Sequence, residues 1–179
     1  MNELLHSLNI ELPVIQAPMA GVQDAILARA VADAGGLGSL PAAMLSAEQL
    51  SDELSSWNSE TDRPLNVNFF CHKAPDADEA QLDAWLTTLA PYYQELALEL
   101  KPTAGGRSPF SEALLDVLVE ATAAVVSFHF VLPDDKLLDA LYATGTTVIS
   151  SATTVPEAIW LEAKGVHAII AQGVEAGGH

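Results

Sequence analysis

Short apolar runs alternate with amphipathic stretches along nearly the whole chain. The runs are rich in β-branched residues, whereas the stretches between them repeat their apolar residues at the spacing of a helix. The pattern predicts six strands, at residues 14–17, 37–40, 65–70, 125–128, 147–150 and 168–171. Strands that are apolar throughout and alternate with helices are typical of a parallel sheet covered by helices.

Pairs of polar residues mark where two of the predicted helices begin. Ser46 with Gln49, and Thr154 with Glu157, have the spacing of a capping box. In that motif each side chain of the pair bonds the backbone N–H of the other residue, which satisfies groups left open at the start of a helix. Helices are therefore expected directly after Ser46 and after Thr154.

The interval between the third and fourth predicted strands is longer than the others. Asp76 with Glu79 is a helix start signal there, and Pro91 is expected to open a separate helical piece. Residues 101–110 (KPTAGGRSPF) form a turn-rich break before a short helix over 111–121. We expect this interval to hold an extra helix and not a domain boundary, so residues 1–179 are interpreted as one domain.

Two architectures fit this alternation equally. A doubly wound sheet usually has a glycine fingerprint of the GxGxxG kind after its first strand. Residues 17–21 (APMAG) occupy that place and are not a dinucleotide-binding loop. A (β/α)8 barrel has no such requirement and carries its working residues in the loops that follow each strand.

The composition excludes several classes of partner. The chain has 24 acidic and 7 basic side chains and a net charge of −17, which repels nucleic-acid phosphates and anionic lipid surfaces. A single cysteine, Cys71, excludes an internal disulfide and fits a reducing compartment. The amino terminus lacks a signal-peptide pattern, and no apolar run approaches the roughly 20 residues that span a bilayer. We therefore expect a cytoplasmic protein without nucleic-acid or membrane partners.

Small or polar residues follow or interrupt three of the predicted strands. The small residues at 17–21 are explained by a tight turn, and they would also let a flat ring approach the backbone. Asn68 lies in an apolar strand, where a buried amide without hydrogen-bond partners costs roughly 1–3 kcal/mol. A cofactor or a neighbouring backbone would supply such partners. His129 directly follows the fourth strand, either as a site residue at the mouth of a barrel or as a structural histidine.

The loop after the sixth strand is the densest chemical signal in the chain. Residues 172–179 (QGVEAGGH) contain three glycines, whose backbone can come close to a ligand. The loop brings together Gln172, Glu175 and His179, and histidine is the side chain most easily tuned to exchange a proton near neutral pH. Spacing alone also permits a plain glycine loop. Cys71 adjoins His72 without metal-ligand spacing, so no zinc site is expected.

Four motifs together resemble the nitronate monooxygenase family, formerly called the 2-nitropropane dioxygenases. They are residues 15–21 (IQAPMAG), 34–38 (AGGLG), 67–69 (VNF) and, above all, 171–179 (AQGVEAGGH). The resemblance implies a (β/α)8 barrel that binds FMN without a covalent link, here incomplete with about six of its eight βα units. It further implies oxidation of alkyl nitronates by molecular oxygen, which yields a carbonyl compound and nitrite.

The resemblance also implies roles for individual residues. Its motifs assign contacts with the flavin to the first loop, to the third strand and to the loop after the sixth strand. The expected roles are cofactor binding for Met19, Gly21, Asn68, Gln172 and Gly177, and catalysis for His179.

Two related groups of flavin barrels share much of this pattern. One reduces enoyl-acyl-carrier-protein with a nicotinamide cofactor, and the other reduces quinones with NADH. Residues 171–173 (AQG) and 127–130 (SFHF) resemble the nitronate enzymes more closely than either group.

The chain departs from the family pattern at its end. Family members continue past the histidine, whereas this sequence stops at His179. A (β/α)8 barrel needs about 250 residues, and its phosphate site is usually formed after strands seven and eight. The expectation is a fragment of a longer enzyme, or a truncated gene product, with weak or no FMN binding by these residues alone; an inactive remnant is the alternative.

Overall fold

A computed structural model describes residues 3–73, 78–99 and 109–177 of the chain. Five parallel strands form one sheet, in which every strand pairs with its neighbours in the chain. The strands are β1 (Gly38–Pro41), β2 (Leu65–Phe70), β3 (Val125–His129), β4 (Thr147–Ala152) and β5 (Ala168–Ala171). A doubly wound sheet would reverse its strand order at a central crevice, so the sequential order confirms the barrel-type alternative.

The prediction of a first strand at residues 14–17 is wrong. Residues 14–17 contribute only an isolated parallel bridge, between Ile15 and Leu37. Leu37 N–H donates to the Val14 carbonyl, and Gln16 N–H donates to the Leu37 carbonyl, both at 2.9 Å. The ladder cannot be extended by the next donor position because Pro18 has no backbone N–H.

Helices flank the strands. Those that are described are α1 (Glu3–Ser7), α2 (Ala25–Asp33), α3 (Ala47–Glu60), α4 (Glu79–Glu95), α5 (Glu112–Glu120), α6 (Asp135–Ala143) and α7 (Val155–Ala163). Both predicted capping boxes are confirmed, at the start of α3 and at the start of α7. No helix in the described parts of the chain combines the length and apolar character that a bilayer crossing requires.

The two faces of the sheet have different surroundings. Val67, Phe69 and Val126 lie in the main core cluster together with buried residues of α3, α5 and α6. Side chains alternate between faces along a strand, so Val125 and Ile149 point to the opposite face, where they pack with Leu8 in a smaller cluster. We call this second face the inner face. Its remaining positions toward the carboxyl ends of the strands are mostly polar.

Close packing of β1 against α2 depends on a glycine. A Cβ at Gly38 would lie 2.2 Å from the Ala28 carbonyl oxygen and 2.8 Å from the Ala28 carbonyl carbon. Ala28 is itself fully buried. The AGGLG motif therefore includes a position at which the helix and the strand approach backbone to backbone.

The described residues divide into two compact units, one of residues 73 and 78–99 and the other of residues 3–72 and 109–177. In the smaller unit, α4 begins after Asp78, whose side chain accepts a hydrogen bond from Gln81 N–H at 3.1 Å. The predicted start at Asp76 lies outside the described residues, as do residues 101–108 of the predicted break. Pro91 lies inside α4 and does not open a separate piece, because a proline removes only one helical hydrogen bond and an exposed helix can solvate the carbonyl that is left.

Candidate functional site

Polar side chains form a row across the inner face near the carboxyl ends of three neighbouring strands. Asn68 of β2 is in register with Ser127 of β3, and Phe70 is in register with His129. Ser151 of β4 lies beside this pair and contacts His129. The carboxyl ends of parallel strands meet at one edge of a sheet, where α/β folds carry their ligands.

The buried amide of Asn68 has partners on the neighbouring strand. Its Nδ2 donates to Ser127 Oγ at 3.0 Å and to the Ser127 carbonyl at 3.3 Å. The sequence left open whether a cofactor or a neighbouring backbone pairs with this amide. For the amide nitrogen, the structure shows a partner from the protein itself. The role of Asn68 toward a cofactor stays a prediction.

His129 is held at the end of β3 by a hydrogen bond and by aromatic rings. Its Nδ1 lies 2.7 Å from Ser151 Oγ, and either atom can be the donor, depending on the tautomer. Its ring centroid lies 5.9 Å from Phe70 and 4.4 Å from Phe130. The ring of His72 contacts Phe130 edge to face at 6.2 Å. No role is predicted for His72 from the sequence, yet the structure brings it into this ring cluster.

The backbone of Phe130 is strained. Its φ of +81° is in the left-handed region, which L-residues other than Asn, Asp and Gly rarely adopt. Such strain costs about 1–3 kcal/mol and tends to occur at functional sites. Here it follows the last residue of β3, at the same edge as the polar row.

The first loop, residues 17–22, follows the bridge at Ile15. Gly21 has a φ of +82°, a backbone conformation that glycine adopts without steric cost. Met19 is half-exposed, and its carbonyl accepts from Val22 N–H at 3.3 Å. These observations place both residues in a turn after the first parallel segment, as predicted, whereas their contacts with a flavin stay a prediction.

Ser39 of β1 is the centre of a buried polar group that the sequence did not single out. Its N–H donates to Gln16 Oε1 at 3.1 Å, and its carbonyl accepts from Gln23 Nε2 at 2.9 Å. Its hydroxyl accepts from Asn66 Nδ2 at 2.9 Å. Polar residues at every second position of β2, Asn66 and Asn68, are the sequence signal that could have located this inner face.

Three buried amide atoms around Ser39 have no hydrogen-bond partner among the described residues. They are Gln16 Nε2, Gln23 Oε1 and Asn66 Oδ1. Buried polar groups are normally paired, and this set offers one donor and two acceptors. A heteroaromatic ring whose edge carries both N–H and carbonyl groups would pair with such a combination of donors and acceptors. The residues present are therefore compatible with a flavin.

The loop after β5 begins as an extension of the sheet. Gln172 N–H donates to the Ala152 carbonyl at 2.9 Å, and Gln172 lines a cavity of about 390 Å³ with Thr153, Ile169 and Gly173. A Cβ at Gly177 would meet no atom within 4 Å. His179 lies outside the described residues. The structure thus places Gln172 and Gly177 beyond a carboxyl strand end, as expected, and leaves the position of His179 as a prediction.

Cys71 follows β2 directly, and its chemistry is that of a core residue. Burial raises the pKa of its thiol to about 12, so the side chain is protonated at neutral pH and is a poor nucleophile. In the described part of the chain, no three His, Cys, Asp or Glu residues come together as a metal site would require.

Comparison with known proteins agrees with this geometry. The chain matches the family described as "Nitronate monooxygenase" over residues 2–179. It is 42% identical to the nitronate monooxygenase of Paraburkholderia phytofirmans, covering 98% of this chain and 49% of that protein. It is also 42% identical to the nitronate monooxygenase of Pseudomonas aeruginosa, covering 96% of this chain and 50% of that protein.

Solved structures show the same similarity. A nitroalkane oxidase from Streptomyces ansochromogenes superposes with a TM-score of 0.85 at 41% identity, over 98% of this chain and 50% of that one. FabK from Thermotoga maritima superposes with a TM-score of 0.74 at 27% identity, over 99% of this chain and 45% of that one. The chain spans about half the length of the relatives that it matches. On the match along its whole length and on this identity, the chain belongs to the nitronate monooxygenase family.

Proposed function

We propose that this chain is the flavin-binding part of an enzyme that oxidises alkyl nitronates with molecular oxygen to a carbonyl compound and nitrite. The observation that carries the proposal is the polar row of Asn68, His129 and Ser151 on the inner face. It lies at the edge where the two glycine-containing loops also emerge. Identity of 41–42% to a nitroalkane oxidase and to two nitronate monooxygenases supports this reaction class.

FMN is the cofactor that we propose within this flavin-dependent family. When bound, it would supply the redox chemistry between nitronate and oxygen, in which two nitronates and one O2 give two carbonyl compounds and two nitrite ions. Asn68 and Gln172 would bond its ring, and Met19 and Gly21 would pack against it. Gly177, in the loop after β5, would place only backbone beside it. The unpaired amide atoms of Gln16 and Asn66 support a ligand that offers both donors and acceptors.

His179 is the proposed catalytic residue. The family motif that ends on this histidine matches residues 171–179. A protonated imidazole would attract an anionic nitronate, which a protein with a net charge of −17 otherwise repels. A neutral imidazole would instead accept the proton of a nitroalkane carbon. Neither role calls on Cys71, whose thiol stays protonated because its pKa is raised by burial.

The test uses the protein expressed from its complete gene. FMN is quantified from the visible absorbance of the purified protein and from the flavin released on denaturation. Propyl-2-nitronate is then supplied in air, and nitrite formation and oxygen uptake are measured together. We expect bound FMN, and nitrite release in proportion to oxygen consumption, with two nitrite ions formed for each O2 consumed.

Parallel assays separate the alternatives. Oxidation of NADH by a quinone, or reduction of an enoyl thioester, without nitrite release would contradict the proposal and favour a related flavin reductase. A colourless protein that is inactive in all three assays after incubation with FMN would favour a remnant that has lost the activity.

A further inference from the structure

Residues 14–16 form a short parallel bridge with Leu37, the residue before β1. A proline prevents this bridge from continuing along β1. The regular hydrogen bonds of the bridge run from Leu37 N–H to the Val14 carbonyl and from Gln16 N–H to the Leu37 carbonyl. In a parallel ladder the next pair would join Ser39 N–H to the Gln16 carbonyl and the N–H of residue 18 to the Ser39 carbonyl. Residue 18 is Pro18, which has no N–H to donate.

Two glutamine side chains take the places of these missing bonds. Gln16 Oε1 accepts from Ser39 N–H at 3.1 Å, where the Gln16 backbone carbonyl would otherwise do so. Gln23 Nε2 donates to the Ser39 carbonyl at 2.9 Å, where the N–H of residue 18 would otherwise do so. Ser39 is fully buried, and a buried backbone group without a partner costs about 1–3 kcal/mol, so each substitute bond matters.

The two glutamines stand at the two ends of the first loop. Gln16 directly precedes residues 17–22, and Gln23 directly follows them, one residue before Asp24 caps α2. Both side chains converge on one residue of β1, which is itself anchored to β2 through the bond from Asn66 Nδ2 to Ser39 Oγ. The loop is therefore closed at its base onto β1, the first strand of the sheet.

We propose that Gln16 and Gln23 are positioning residues that form a side-chain clamp on Ser39 and thereby hold the first loop at the carboxyl edge of the sheet. The clamp replaces the ladder that Pro18 interrupts. Its consequence for a cofactor, namely that Met19 and Gly21 are presented in a fixed place, rests on the proposed function. The clamp itself does not.

The clamp is tested in the protein expressed from its complete gene, in its flavin-free form, by hydrogen exchange at the Ser39 amide. Gln16→Met keeps the length of the side chain and removes the acceptor, so Ser39 N–H should exchange faster by on the order of tenfold. Gln16→Glu retains the acceptor and should keep Ser39 protected. Gln81→Met is the matched control, since Gln81 is exposed on α4.

Gln23 is tested through Pro18. Gln23→Met should speed cleavage by a protease within residues 17–22, because the Ser39 carbonyl then loses its donor. Pro18→Ala restores a backbone N–H at the position where the ladder needs one. If the side chain of Gln23 substitutes for that N–H, Gln23→Met should change the cleavage rate much less in the Pro18→Ala background than in the native one.

Two results would overturn the clamp. One is unchanged Ser39 exchange in Gln16→Met, and the other is an equal effect of Gln23→Met with and without Pro18. If Gln16→Met does not fold, Gln16→Asn serves as the second variant with the same expectation, because its side chain is shorter by one methylene and does not reach Ser39. None of these assays uses flavin or nitronate. The clamp can therefore be confirmed when the proposed function is contradicted, and contradicted when the proposed function is confirmed.

Discussion

His129 Nδ1 lies 2.7 Å from Ser151 Oγ, so a histidine at the end of β3 is oriented by a serine near the end of β4. The two residues come from strands that pair in parallel register, with Phe128 opposite Ser150. A serine hydroxyl can either donate to or accept from a ring nitrogen, so this bond suits either tautomer of the imidazole. Ser151 thereby orients the ring of His129 and sets the direction in which its other nitrogen points.

The first prediction concerns this pair. Ser151→Ala removes the partner of Nδ1, so the tautomer population of His129 should shift and the ring should become more mobile. The 15N chemical shifts of the two ring nitrogens report the tautomer directly. Ser150→Ala is the matched control, because the Ser150 hydroxyl bonds the Phe128 carbonyl at 3.3 Å and not the imidazole. Unchanged ring shifts in Ser151→Ala would show that the imidazole is oriented without the Ser151 hydroxyl.

Local sequence signals predicted the local structure of this chain well. The capping boxes at Ser46 and Thr154 form as predicted because each depends on residues only three positions apart. The strand predicted at 14–17 failed because Pro18 removes a ladder donor, and the propensity of Val14 and Ile15 for strands could not compensate for it.

The site depended on information that a single sequence does not contain. Asn68 was recognised as a buried amide, but its partner on Ser127 lies 59 residues away and follows from strand register. Ser39 cannot be recognised from the sequence, because a serine within a short strand has no distinctive pattern around it. Its importance follows from the three side chains that bond it in the fold, those of Gln16, Gln23 and Asn66.

A second prediction concerns Gly38. Gly38→Ala places a Cβ 2.2 Å from the Ala28 carbonyl oxygen, so α2 or β1 must move. Overpacking of this kind typically costs 1–3 kcal/mol, occasionally more, and urea unfolding should show a lower midpoint by a corresponding amount. Gly177→Ala serves as the control, because a Cβ there has open space. Equal stability of both variants would mean that the helix and strand separate without cost.

A third prediction follows from the buried thiol. Burial raises the pKa of Cys71 to about 12 from its ordinary value of 9.0. The unfolded chain loses this proton above pH 9 while the folded chain keeps it, so folding stability should fall as pH rises from about 9 toward 12. This one group contributes a slope of about 1 kcal/mol per pH unit.

The contribution of Cys71 is isolated by comparing two proteins. Urea unfolding of the native chain and of Cys71→Ala at pH 8, 9.5 and 10.5 separates it from the titration of other groups, which both proteins share. The stability difference between them should change in favour of Cys71→Ala as pH rises. A difference that stays constant would mean that the thiol ionises in the folded chain as readily as in the unfolded one.

The last prediction concerns His179 in the complete enzyme. The motif over residues 171–179 makes this histidine the expected partner of the reacting carbon or of the anionic nitronate. His179→Asn keeps a similar size and a hydrogen-bonding group but removes the titratable charge. Turnover with nitronate should fall by roughly 10²-fold or more, the usual scale for losing a proton-transfer group, while the FMN content should stay unchanged. Near-normal turnover on both nitroalkane and nitronate would contradict the assignment, and His129, already oriented by Ser151, would become the next candidate.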